Sequence, residues 1–346
     1  MQVAQRGDST GITNANSDYY GPDRYKFNED GTMTAVVSIA QETLTSGSAF
    51  NDGHLYAYKL SVTTADTSVG ADIYTRITHR FEKDNLASLS KGTSSAKRVT
   101  LSFWVKATVT GTNVVEFFDQ VNSRQVGATY TISSSNTWEY KTVTFPADTS
   151  GALGSGSGLA AEINFVLQAG SNYTSGTLDT SWASETAANR AAGHNSNHFS
   201  STSNTFHLTG VQLEIGDVAT AFEHRSYGDE LRRCQRYFEV IKWNHYPLAG
   251  YSYSTAQFAL SQQQFTEKRA NPSLTFPTIG TTSGTVGLTK SSGAYATQGS
   301  TLRAIITTTM ASIYNNSGDG FSGFTDDDVV MLYSYDETEL QVSAEL

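Results

Sequence analysis

The feature that most constrains this chain is a series of short segments whose apolar residues recur at every second position. In LYAYKLSV (55–62) Tyr56, Tyr58, Leu60 and Val62 share one face. In DIYTRITHRF (72–81) Ile73, Ile77 and Phe81 share one face, and Tyr74, Arg76 and Arg80 the other. In LSFWVK (101–106) Leu101, Phe103 and Val105 point one way and Trp104 the opposite way. VVEFF (114–118), WEYKTVTF (138–145), EINFVL (162–167) and FHLTGVQLEI (206–215) complete at least seven such segments. Period-2 alternation is the mark of a half-buried strand, and turn signals such as ADTSG and GSGSG separate the segments. Strands at this spacing predict an all-β fold that begins with a jelly-roll β-sandwich.

Composition agrees. Charged residues are 16% of the chain, below the roughly 25% of an average soluble domain, while Gly (29), Tyr (18) and Phe (17) are abundant. At 346 residues there is room for two cores, taking roughly 100–200 residues per domain. Five prolines and a mean hydropathy of -0.34 speak against a Pro-rich disordered stalk and a membrane protein. A net charge of -10, without a cluster of Lys and Arg, excludes nucleic acid as an expected partner. No apolar run predicts membrane insertion and no basic, apolar leader is visible. A single cysteine, Cys234, excludes an intrachain disulfide framework and a Cys-rich zinc site.

The segment 1–23 is polar and rich in Gly, Asn and Ser, which predicts an arm; the jelly roll then spans 24–225. Over 226–236 Asp229 and Glu230 precede Arg232 and Arg233, the charge order that a helix dipole favours, so a short linking helix is expected. Leu231, Cys234, Phe238 and Ile241 follow 3-4-3 spacing and are expected to contact a second domain or subunit. From 237 to 346 strands return (YFEVIKW, GYSYSTAQFALS, PSLTF, TVGLT, LRAIITTTM, DVVMLYSY) and predict a C-terminal β-sandwich.

Several stretches resemble the distal tail-fibre modules of marine bacteriophages: MQVAQRG, SAKRVTLSFWVKA (95–107), WEYKTVTFPADTSGALGSGSGLA (138–160), AGSNYTSGTLDTSWAS (169–184), LTGVQLEIGDVATAFEHRSYGDELRRCQRYFEV (208–240) and the terminal VSAEL. The likeness is densest at 208–240. The VQLE of 211–214 also resembles the last strand of carbohydrate-binding-module jelly rolls. The resemblance implies a virion fibre subunit, homotrimeric, in contact with other virion proteins and with glycan on the bacterial surface. A virion decoration or connector protein with purely structural contacts is the alternative, and a glycan depolymerase the third reading. The chain opens on MQVAQRG, so no separate virion-anchoring domain is expected ahead of it.

Catalytic motifs are sparse, and no enzymatic activity is expected. Asp326, Asp327 and Asp328 adjoin a strand, where neighbouring side chains alternate faces, and read as a solvated turn. NNSGDGFSGFTD (315–326) sets Asn315, Ser317, Asp319, Gly320 and Asp326 at EF-hand-like positions, but without a first carboxylate or a final Glu it reads as a Gly-rich hairpin. His194 and His198 stand four apart in an Asn/Ser loop, with His207 in the next strand; they read as loop histidines, so no metal or cofactor is expected. Two candidate ligand-binding surfaces remain. By alternation Tyr74, Arg76, Trp104, Glu116 and Phe118 lie opposite the core face, as a sugar platform would or as residues packed by the arm, a subunit or a second core layer. In KWNHYPLAGYSYS (242–254) Trp243, His245, Tyr246, Tyr251 and Tyr253 crowd a turn at Pro247 and Gly250, unless they belong to ordinary paired strands.

Overall fold

The computed structural model describes residues 1–13, 18–290, 296 and 298–346. Contacts divide the chain into a first unit, Met1–Glu230 with Leu346, and a second, Leu231–Glu345. The boundary falls inside the linking helix, α3 (Tyr227–Gln235), which follows the short helices α1 (Ser48–Asn51) and α2 (Ser171–Thr174).

The first unit is the expected β-sandwich. Its strands are β1 (Ser9–Ile12), β2 (Asp18–Tyr19), β3 (Tyr25–Asp30), β4 (Val36–Thr43), β5 (Tyr56–Thr64), β6 (Tyr74–Glu82), β7 (Val99–Ala107), β8 (Gly111–Asp119), β9 (Arg124–Ile132), β10 (Glu139–Phe145), β11 (Leu159–Ala169), β12 (Ala183–Ser184) and β13 (Thr205–Ile215). One antiparallel sheet runs β1-β4-β5-β13-β7-β10 and the other β12-β9-β8-β11-β6-β3-β2. All seven alternating segments are strands, and the inward faces are the expected ones: Leu101, Phe103 and Val105 are fully buried. Phe103 meets Phe165 at 5.0 Å and Tyr130 at 5.1 Å, both edge-on. Burying each such ring stabilises the sandwich by roughly 1.5–3 kcal/mol.

The described residues of 1–23 differ from the expected arm. β1 pairs with β4 and β2 with β3, and Val3, Ile12 and Tyr19 are buried. Isolated apolar residues in a polar context give no period, yet Ile12 and Tyr19 lie on strands at the sheet edges.

The second unit carries β14 (Phe238–Ser254), β15 (Gln257–Gln264), β16 (Ser273–Thr275), β17 (Val286–Lys290), β18 (Arg303–Ile306), β19 (Met310–Tyr314) and β20 (Val329–Ser343). They join in one sheet, β16-β20-β14-β15-β19-β18, with β17 on β20. Its core includes Trp243, Phe258, Leu332 and Leu340, closed by Phe321 and Phe324 from the 315–328 segment. One expectation changes here, and one alternative is decided. The 3-4-3 stripe is not one helical face, because α3 ends at Gln235 and Phe238 and Ile241 lie on β14; Cys234 and Phe238 are buried, Leu231 and Ile241 partly so. Residues 242–254 follow the paired-strand alternative rather than the turn, as part of the 17-residue β14. His245 adopts φ 55° and the register slips on both sides of it, so a bulge accommodates the segment that holds Pro247.

Candidate functional site

The first sequence-derived surface divides between two sheets. Tyr74 and Arg76 on β6 and Glu116 and Phe118 on β8 share the outer face of the seven-stranded sheet, whereas Trp104 on β7 belongs to the other sheet. Alternation identifies a strand's outward side but not which sheet carries it.

The four that stay together are covered. Tyr74 is 0% and Phe118 5% exposed. Arg190, from the segment after α2, lies 4.8 Å from the Tyr74 ring centre and 4.4 Å from that of Phe118. It donates two hydrogen bonds of 2.8 Å to the Glu116 carboxylate, which also accepts from Tyr74 Oη at 3.0 Å and Asn164 Nδ2 at 2.9 Å. Burial pushes the Glu116 carboxyl up, but Arg190's charge and hydrogen bonds, with those of Asn164 and Arg76, hold it below its usual range. Tyr173 stacks on Tyr74 at 4.7 Å and 16°. Gly127 on β9 leaves room for this cover, because a Cβ there would stand 2.6 Å from Leu178. These residues form a second, polar core layer, and no ring face of Tyr74 or Phe118 is free for a sugar. Arg76 pairs with Asp30 at 2.8 Å.

Trp104 is half-buried. Its indole Nε1 donates to Asp52 Oδ2 at 2.9 Å, and its ring lies 5.3 Å from Tyr140, the residue opposite it in register on β10. Tyr140 is 44% exposed. It lies in the alternating segment 138–145, but without the pairing of β7 with β10 nothing links it to Trp104.

The second surface is exposed only in part. Trp243 is 1% exposed and its Nε1 donates to Gln263 at 2.9 Å, so its ring faces the core and not a ligand. His245 is exposed. Tyr246, Tyr251 and Tyr253 are exposed at 55%, 56% and 42%. Tyr251 and Tyr253 lie 6.5 Å apart, and Tyr246 lies 5.2 Å from Tyr333 of β20. Cross-strand pairing extends the surface sideways: Val329, Tyr251, Ala259, Tyr314 and Arg303 stand opposite one another in turn across β20, β14, β15, β19 and β18, so they share one face. Tyr314 joins the site through this register and Tyr333 through its contact with Tyr246, and the sequence discloses neither.

The remaining polar clusters are largely matched within the fold, although His198 Nδ1 has no hydrogen-bond partner among the described residues. His194 and His198 lie in a loop, as expected, and are buried there; their Nε2 atoms hydrogen-bond Ser196 O at 2.6 Å and Asn113 Oδ1 at 2.8 Å. His207 Nδ1 meets Glu42 at 2.7 Å. The carboxylates of Asp119 and Asp148 both clasp the Lys91 ammonium, and Arg124 pairs with Asp148 at 2.8 Å. In the 315–326 loop Asp319 is held by Arg303 at 2.7 Å and 2.8 Å, and Asn315 ties Phe258 N at 2.8 Å and Ala256 O at 2.8 Å. No group of three or more His, Cys, Asp or Glu suited to a metal occurs among the described residues. Calcium and chelator are therefore expected to leave the melting temperature unchanged; a calcium-dependent rise of several degrees contradicts this, because a ligand of the native state must stabilise it.

No protein-family model matches the chain, and no curated protein matches it. Several solved structures do. The enzymatically active domain of tailspike protein 4 from bacteriophage CBA120 aligns at 14% identity and a TM-score of 0.31, over 60% of this chain and 21% of its own. A family 4 carbohydrate-binding module aligns at 13% and 0.30, over 59% and 94%. The family 11 carbohydrate-binding module of the cellulosomal cellulase Lic26A-Cel5E of Clostridium thermocellum aligns at 12% and 0.29, over 62% and 97%. The chain thus spans about a fifth of the tailspike domain.

Proposed function

We propose that this chain is a non-enzymatic, homotrimeric fibre subunit of a phage virion, which attaches the particle to bacterial surface glycan through the exposed tyrosines of its second unit. The observation that carries the reading is the exposure of Tyr246, Tyr251 and Tyr253, all above 40%, on one strand. An aromatic ring on a strand offers the apolar side of a sugar a flat, rigid partner and loses little side-chain entropy on contact. One such site is weak; three copies per fibre and several fibres per particle supply useful attachment by raising effective concentration.

Two measurements test it. Light scattering at micromolar concentration is expected to give three times the 37.4 kDa chain mass, and a monomer mass rejects the trimer. Tyr251→Ala combined with Tyr253→Ala is expected to abolish binding to host cells without lowering the melting temperature, since exposed substitutions change stability by less than about 0.5 kcal/mol. Normal cell binding by that variant removes the tyrosine surface from the proposal.

A connector subunit is the second reading, favoured by Ile305 (67% exposed) and Val329 (49%) in the same sheet, side chains that suit a protein partner better than a sugar. Free glycan that competes with cell binding supports adhesion, whereas tight binding to purified virion parts alone supports the connector. Release of reducing ends from host polysaccharide marks a depolymerase instead.

A further inference from the structure

The first unit contains a cleft of about 610 Å³, within the roughly 300–1,000 Å³ of ordinary small-ligand sites. It opens between the two sheets. One wall is a row across β11, β6 and β3, in which Ile163, His79 and Tyr25 stand in register; His79 lies 5.2 Å from Tyr25 and 4.8 Å from Phe81. The facing wall is Val211 and Leu213 on β13, with Leu101 on β7.

A bulge in β13 accompanies the opening. Gly210 adopts φ 59°, and the pairing with β7 slips between Thr209 and Gln212. A side chain at 210 is excluded twice over, because a Cβ there would lie 2.6 Å from His54 Nε2 and the backbone is left-handed. Beyond the bulge β13 no longer pairs with β5, whose last partner is Leu208. The chain then returns along the opening: Glu214 accepts from Thr220 N and Oγ1, both at 2.8 Å, and Gln212 Oε1 accepts from Glu223 N at 2.8 Å. Phe222 is thereby set at the mouth, edge-on to His54 at 4.7 Å.

The lining leaves apolar surface wet. His79, Phe81, Val211, Leu213 and Phe222 are only partly buried although they border the core, so an occupant that displaces water from them is stabilised. A hydrocarbon is a poor occupant, because the rim is Gln212, Glu214, Glu223 and Arg225. An anion is a poor one as well: Arg225 already pairs with Glu223 at 3.1 Å and Glu230 at 3.6 Å, and the carboxylates repel negative charge. An aromatic wall facing an aliphatic one, with an uncharged-to-anionic polar rim, suits a ring that is apolar on its faces and hydroxylated at its edge.

The geometry points to a second binding site in this cleft for a neutral mono- or disaccharide, separate from the tyrosines of β14. It rests on the glycan-binding reading and deepens it: the first unit reads a sugar end or short branch in a cleft, and the second holds a chain against an open surface.

The test is titration calorimetry of the full chain against neutral disaccharides built from glucose, galactose and mannose, with sialyllactose as the anionic comparator. At least one neutral disaccharide is expected to bind in the millimolar range and sialyllactose not to bind. Leu213→Trp, which fills the cleft, is expected to weaken that binding at least about tenfold, while Tyr251→Ala with Tyr253→Ala changes it less than about twofold. Phe222→Ala, at the exposed mouth, gives the same answer if Leu213→Trp does not fold. Binding that survives both cleft substitutions overturns the inference, as does a preference for sialyllactose. If no disaccharide binds but cell adhesion still depends on the tyrosines, the cleft falls and the adhesive reading stands; if neither occurs, both fall.

Discussion

Lowering the pH from 7 to 4.5 is expected to remove on the order of 5 kcal/mol of stability from the first unit through two histidines alone. Burial depresses His194 to about 4 and His198 to about 3. In the unfolded chain both take up a proton near pH 6.5, whereas in the fold they stay neutral until the pH is far lower. The stabilisation is therefore complete above pH 6.5 and is lost progressively as the pH falls towards 4. The geometry gives the reason: each Nε2 already donates to an oxygen, and His198 Nδ1 has no hydrogen-bond partner among the described residues, so a second proton there is both charged and unmatched. Glu29 works the other way. Its partly buried carboxyl is pushed up to about 7 by burial, and protonating it favours the fold as the pH falls from 7, though solvent screens so exposed a group. Denaturant melts at pH 7, 5.5 and 4.5 measure the balance. His198→Gln keeps a donor for Asn113 and removes the titration, so its loss per pH unit is expected to be smaller by about 1.4 kcal/mol. A parent equally stable at pH 7 and 4.5, or a variant with the parent's slope, contradicts the assignment.

Those histidines mark where sequence reading stops. GHNSNHF is polar and has no period, so it reads as a loop, which it is, but the loop is buried: His198 packs edge-on to Phe206 at 5.0 Å. The strands were legible because each needs only its own alternation. Which strands face one another was not, and it decides whether an outward residue is a surface or a second layer. Phe118 and Tyr140 both lie in alternating segments of the sequence, and only the first is roofed, by a segment whose Arg190 lies more than 70 residues further along.

The tyrosine surface shows a subtler limit. Before the bulge at His245 the core-facing residues of β14 are odd-numbered, Ile241 and Trp243; after it they are even-numbered, Leu248 and Ser252. One extra residue flips every later side chain to the other face. A reader who carries a single phase through 238–254 must misplace either Trp243 or Tyr251. The sequence brought the aromatic residues together; the bulge leaves Tyr246 exposed within it and puts Tyr251 and Tyr253 on the face opposite Trp243.

Arg190→Met is expected to cost about 3–5 kcal/mol at pH 7, the usual result of leaving a buried charge without its partner, and to lower the melting temperature by roughly 10 °C. Glu116 is 1% exposed, and Arg190, itself 9% exposed, supplies its two strongest bonds. Without the guanidinium, burial dominates and the Glu116 carboxyl rises above its usual range. The sign of its linkage then reverses. In the parent the depressed carboxyl stabilises the fold at neutral pH and that contribution fades as the pH drops through it; in the variant the carboxyl is easier to bury protonated, so the deficit against the parent shrinks as the pH approaches 5. Adding Glu116→Gln to Arg190→Met removes the charge that lacks a partner and keeps an amide for Tyr74 and Asn164, so the double variant is expected to regain most of the loss. Cell binding measured on that double variant then separates the layer's role in folding from any role in recognition: unchanged attachment is expected, because Tyr74 and Phe118 lie beneath the cover and the tyrosines of β14 are untouched. A single variant that melts like the parent shows that Glu116 finds another cation or water, and a double variant that folds but no longer attaches returns the recognition site to this face.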